Sequence, residues 1–161
     1  MNFCKKRGGQ VTAELMLILP VFMLMIFFVL EYGNIAYHSI IATHASYEFA
    51  RIGSLVAVKK PSGRPDRTVI SQKINQAKQK VFGSRSGSIG VSVKVETTGV
   101  DPMYKRHRHE DVIVTVTYPV RLIFPGTSYI LASEPRREGV RRIKTSARMP
   151  IEKAYLSSDT K

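Results

Sequence analysis

One acid inside a long apolar run is the feature of this 161-residue chain with the most chemical consequence. Residues 8–30 read GGQVTAELMLILPVFMLMIFFVL, and Glu14 is the single charged side chain among them. A carboxylate at mid-bilayer costs roughly 2.5–3.5 kcal/mol on insertion scales, so an acid in such a run is functional by default. Ion pairing is one such function. A carboxylate beside an α-amine in an apolar setting lets each charge offset the burial of the other. A cut just ahead would free such an amine on Gln10, because a peptidase at the cytoplasmic membrane face needs a small, flexible residue before the scissile bond and Gly9 is one. A cut after Gly9 makes Gln10 the first residue and Glu14 the fifth. The simpler alternative is an uncleaved signal anchor in which Glu14 only reaches back towards the headgroups.

Other chemistry-bearing residues form weaker patterns. His107 and His109, within KRHRHE, alternate and would share one face of a strand, with Glu110 and Asp111 nearby. Lys105, Arg106 and Arg108 would repel a cation there, so the segment reads as a solvated basic loop rather than a metal site. His38 and His44 are six apart, do not share a helix face, and read as packing or surface residues. Cys4 is the only cysteine and precedes the apolar run, whereas a lipoprotein cysteine would follow it. The part beyond the run therefore has no thiol and forms no disulfide. No Gly-x-Ser-x-Gly elbow, phosphate-cradling glycine loop or His-Glu-x-x-His is present. No enzymatic activity is expected, and neither is a metal or a cofactor.

The charge is strongly basic: 25 Lys and Arg against 12 Asp and Glu, a net of +13. Without Lys5, Lys6, Arg7 and Glu14 the remainder still carries about +11. Such a field favours acidic partners, whether anionic lipid, nucleic acid or acidic protein. No nucleic-acid reading motif accompanies it, so nucleic acid is not an expected partner. The runs 64–67, 105–108 and 136–142 could touch lipid headgroups or simply keep the domain soluble.

The elements that must position these residues follow from period and punctuation. Residues 1–9 form a basic leader, and residues 10–30 approach the roughly 20 apolar positions needed to span a bilayer. The Lys5–Arg7 charge predicts a cytoplasmic N-terminus and a domain on the far side of the membrane. Pro20 removes a hydrogen bond from the helix and is expected to kink it. Residues 31–58 continue as helix outside the membrane. Ile35, Ala42, Phe49 and Val56 recur every seven residues, with Ser39, Ser46 and Gly53 between them, which makes one face with small members that admit a close partner. Residues 59–65 (KKPSGRP) make a turn opening a small domain over 59–150. Asp66 is placed to cap a second helix and Gly83 to end it, with Ile70, Ile74, Ala77 and Val81 on its apolar face. From Ile89 the period becomes two. Ile89–Val95 and Val112–Tyr118 read as half-buried strands, with a break or bulge at Pro119 and a short extension over Val120–Phe124. Arg142–Met149 reads as a last strand, and residues 151–161 as a flexible tail. The class is α+β: a long membrane-spanning helix, then a small domain with a second helix packed on an antiparallel sheet.

Two resemblances sharpen the N-terminal reading. The leader, Gly9, Glu14 five residues into the mature chain and the following apolar helix resemble the class III signal of type IV prepilins and pseudopilins. Arg7-Gly8, Glu14, Pro20 six residues after it, Glu31-Tyr32-Gly33 just past the membrane and Ala50-Arg51 resemble the TadE-like family of tight-adherence (Flp-type) pilus assembly proteins. Leu15 stands where that family often has an aromatic residue, and Arg51-Ile52-Gly53 where Gly-Ala-Arg is usual. The close resemblance covers about residues 7–55. It implies a minor pilin or pseudopilin in the inner membrane, acting by helix packing in pilus assembly or its secretion machine. Implied partners are sister TadE- and TadF-like pseudopilins, an Flp-type major pilin, inner-membrane platform proteins, a prepilin peptidase cutting between Gly9 and Gln10, and membrane lipid. Glu14 would then pair with a neighbouring subunit. Two alternatives remain: an unprocessed membrane-anchored scaffold of the same machine, and a tethered protein binding anionic polymer through its basic domain.

Overall fold

A computed structural model describes residues 7–57, 66–100 and 108–151 of the chain. The leader residues Cys4, Lys5 and Lys6, the 59–65 turn, His107 and the tail from 152 onward lie outside them, as does the side chain of His109. The elements run α1 (Arg7–Val56), α2 (Arg67–Phe82), a 3-10 segment (Gly83–Ser88), β1 (Gly90–Val100), β2 (Arg108–Arg121), α3 (Thr127–Leu131), a second 3-10 turn (Arg136–Glu138) and β3 (Val140–Pro150). This is the α+β class expected, with three strands ordered β1-β2-β3 in an antiparallel sheet.

The chain divides into two compact units. One holds the chain up to Tyr37 together with Val120–Arg141, the other His38–Pro119 with Arg142 onward.

The second unit contains the main core. Its part of α1 buries Ala42, Ala45, Ser46, Phe49, Ala50, Gly53 and Ser54, so the small-residue face read from the heptad spacing is the packing face. Its close approach is visible at Gly53, where an added Cβ would lie 3.0 Å from Val112 Cγ1 and 3.4 Å from Ile74 Cδ1. The hydroxyls of Ser46 and Ser54 donate to the carbonyls of Thr43 and Arg51, so their burial leaves no donor unpaired. Helix α2 presents Ile70 and Ile74 to the same core. Asp66 caps it by accepting from the Thr68 N–H at 3.0 Å, and Gly83 ends it at φ 52° with its N–H on the Gln79 carbonyl.

Strands β1 and β2 pair antiparallel from Gly90↔Thr117 to Val100↔Arg108, with an irregularity between Thr97 and Gly99. Val112, Val114, Val116 and Tyr118 are buried, each contributing about 1.5–3 kcal/mol by the usual area argument. Thr145 of β3 donates its hydroxyl to the Ala42 carbonyl at 3.1 Å, and Ile143, Thr145, Ala147 and Met149 are half-buried in alternation with exposed neighbours.

Two expectations need correction. Val81 is 61% exposed, whereas the next residue, Phe82, packs edge-on to Phe49 at 6.2 Å and against Tyr118 at 5.8 Å. At the last turn of the helix the larger ring occupies the aromatic cluster and Val81 turns out. Strand β2 also does not break at Pro119 but runs on to Arg121. The pairing with β1 ends at Thr117, so Pro119 has no β1 residue opposite it that needs an N–H.

Candidate functional site

The site read from the sequence lies on the first four turns of α1. Gly9, Gln10 and Glu14 are all exposed, and no atom lies within 4 Å of where a Gly9 Cβ would be. Gln10 Nε2 donates to Glu14 Oε1 at 3.2 Å, one helical turn along. The main-chain start that a cut after Gly9 would create is therefore one turn from the Glu14 carboxylate. Every residue from Val11 to Met25 is exposed, including Leu17 at 75% and Met16 at 70%. Among the described residues, α1 is the one helix long and apolar enough to cross a membrane, and none of its most apolar window is buried within the chain. Such a surface is stable in lipid or against other apolar helices, not in water. Pro20 lies inside α1, which is assigned as one helix from Arg7 to Val56.

The structure gives a role to a residue that the sequence marked only as the polar end of the apolar run and the start of Glu31-Tyr32-Gly33. Glu31, immediately after the apolar run, is fully buried. Its Oε2 accepts from the backbone N–H groups of Ile123 and Phe124, both at 3.0 Å, and lies 3.4 Å from the Thr127 hydroxyl. Its Oε1 accepts from Asn34 Nδ2 at 3.1 Å. Thr127 has one hydroxyl proton, and its shorter contact of 2.7 Å is to the Phe124 carbonyl. The two main-chain donors therefore carry the anchor. Burial alone would raise the carboxyl's proton affinity. The Phe124 N–H, the Asn34 amide and the Ile123 N–H outweigh it, and together they hold the pKa below the ordinary 4.5. Phe27, one turn earlier, stacks on Phe124 with ring centroids 5.4 Å apart. Gly126 at φ 83° turns the chain into α3. Glu31 thus pins residues 122–131 to the end of the apolar run. The sequence signal for it was slight: an acid closing the run, and an Ile-Phe-Pro-Gly turn more than ninety residues away.

The remaining candidates stay apart from this site. His38 is half-buried and tilted against Tyr118 at 5.6 Å, and His44 is exposed. Asp111 accepts from Arg148 Nε at 2.6 Å, and in register it faces Glu96, whose carboxyl also meets Lys94. That cluster is a cross-strand charge network. Of the basic run 136–142, Arg141 donates to the Leu131 carbonyl at 3.2 Å.

A family model described as TadE-like protein matches residues 9–51, covering Gly9, Glu14, Pro20, Glu31 and the Ala50-Arg51 pair. The resemblance read from the sequence is borne out over that stretch. Neither the comparison with curated proteins nor the one with solved structures found a match.

Proposed function

We propose, from the TadE-like segment at residues 9–51, that this chain serves the assembly of a tight-adherence pilus or its secretion machine as a minor pilin or pseudopilin. The observation that carries the reading is the bare apolar surface of α1 from Val11 to Met25 with Glu14 exposed on it, within the matched segment. The helix sits in the inner membrane with its N-terminus cytoplasmic, and the α+β domain lies on the periplasmic side. A prepilin peptidase removes residues 1–9, and Gln10 becomes the new N-terminus. The work is done by helix packing against an Flp-type pilin and sister TadE- and TadF-like subunits, with inner-membrane platform proteins as further partners. Pro20 kinks the membrane half and sets the angle of that packing. Glu14 pairs with the α-amine of a neighbouring subunit. No catalysis and no cofactor enter this role.

Replacing Glu14 with Leu tests it. The change removes a costly charge from the apolar run, so the protein should insert at its normal level or slightly above. Fibre number or secretion should fall sharply, and Glu14→Asp should give an intermediate defect because the charge persists on a shorter arm. A Glu14→Leu strain with normal protein level and wild-type fibres would reject the pairing and favour an unprocessed scaffold.

A further inference from the structure

The segment held by Glu31 carries an apolar surface that neither the core nor the proposed packing of residues 11–25 uses. Ile123 is 71% exposed, Tyr129 78% and Ile130 68%, three large side chains within eight residues. Their height along α1 is defined by two contacts: Phe124 stacks on Phe27, and the Ile123 and Phe124 N–H groups bind the Glu31 carboxylate. Twenty apolar residues at 1.5 Å each match a hydrocarbon core of about 30 Å, so a span over residues 10–30 puts Phe27 within roughly 5 Å of the boundary. The segment pinned there meets the interface, where tyrosine and aliphatic side chains are favoured.

Polar chemistry beside it fits the same depth. Ser128, Tyr129, Arg136 and Arg137 line an open cavity of about 230 Å³. Two guanidinium groups and two hydroxyls around a space of that size suit a phosphate group, since arginine forks match phosphate oxygens and hydroxyls donate to them. Arg136 and Arg137 are themselves exposed. Apolar side chains at the tip with a basic, hydroxyl-lined hollow beside them are the layout of an element lying in a bilayer surface.

From this juxtaposition we infer that residues 122–137 form a foot on the leaflet from which α1 emerges. Ile123, Tyr129 and Ile130 enter the acyl boundary, and the Arg136–Arg137 hollow holds the phosphate of an anionic lipid headgroup. The inference rests on the single-pass reading of α1. It fixes the tilt and rotation of the span, because a helix gripped at one end by an interfacial foot cannot turn freely about its axis.

The chain has no tryptophan, so a single introduced indole reports alone. Full-length protein carrying Tyr129→Trp, and separately Ile130→Trp, is placed in bilayer nanodiscs of phosphatidylcholine and phosphatidylglycerol. Lipids brominated at the acyl carbons nearest the headgroup are then substituted. The foot requires blue-shifted emission quenched by the brominated lipid, and a loss of that quenching in Arg136→Gln/Arg137→Gln protein or when phosphatidylglycerol is omitted. Leu19→Trp is the control for the span. If its indole is not quenched by lipids brominated deep in the chain, the membrane reading itself fails. Quenching at 19 with red, unquenched emission at 129 and 130 leaves the span standing and overturns the foot. Blue-shifted but unquenched emission at 129 and 130 means a protein surface covers them, which also overturns it. Quenching unchanged by the arginine substitutions overturns the headgroup site.

Discussion

Replacing Glu31 with Leu should release residues 122–131 while leaving the rest of the fold in place. The magnitude follows from the donors left behind. Thr127 keeps its 2.7 Å bond to the Phe124 carbonyl, and half-buried Asn34 can turn to water. The Ile123 and Phe124 N–H groups, each 3.0 Å from the lost carboxylate, lose the acceptor they share. A stranded buried donor costs about 1–3 kcal/mol, and both sites are only part-buried, so the sum should be about 2–4 kcal/mol. That corresponds to roughly a hundredfold increase in local opening. Glu31→Gln retains an oxygen for both N–H groups and loses only the charge assistance, so it should cost about 1 kcal/mol. Amide hydrogen exchange in detergent or nanodiscs reads this directly. Protection factors at 123 and 124 should fall about a hundredfold in the Leu variant and severalfold in the Gln variant, with Val114 unchanged. The pH dependence supplies a second check. The folded pKa of Glu31 lies below the ordinary 4.5, so its contribution is complete above that value and is lost as pH falls through the folded pKa. Wild-type protection at 123 and 124 should therefore be flat from neutral pH to about 5 and decline in stronger acid. The Gln variant should show no such decline. Unchanged protection in Glu31→Leu, or equal losses in Leu and Gln, would refute the anchoring role.

Other expectations concern processing and packing. Intact mass of protein from cells with an active prepilin peptidase should show a chain beginning at Gln10, and Gly9→Val should block the cut more severely than Gly9→Ala. A full-length mass in such cells would reject processing. Gly53→Ala places two effects against each other: about 1 kcal/mol gained from helix propensity and about 1–3 kcal/mol lost as Val112 is pushed from its 3.0 Å approach. Net destabilisation of about 0–2 kcal/mol is expected in thermal unfolding. A variant more stable than wild type by the full propensity gain would show that the α1–β2 contact is not tight.

What the sequence alone determined is what repeats locally. The apolar run and its lone Glu14, the seven-residue spacing from Ile35 to Val56, the Asp66 and Gly83 caps and the alternation through Val112–Tyr118 each leave a periodic or punctuated trace. Every α-helical turn and every strand pleat samples its own environment, so burial writes itself into the spacing of residue types. The matched TadE-like segment lies within the part of the chain where such signals are densest. Tertiary structure alone decided the features that depend on one residue meeting another far along the chain. Phe82 rather than Val81 faces the core because Phe49 and Tyr118 leave room for a ring. Pro119 stays in β2 because β1 stops at its partner for Thr117. Glu31 is buried and ionised because two main-chain donors arrive from 92 and 93 residues away. A backbone N–H is the same group in every residue but proline, so no side-chain pattern announces which carboxylate it will find.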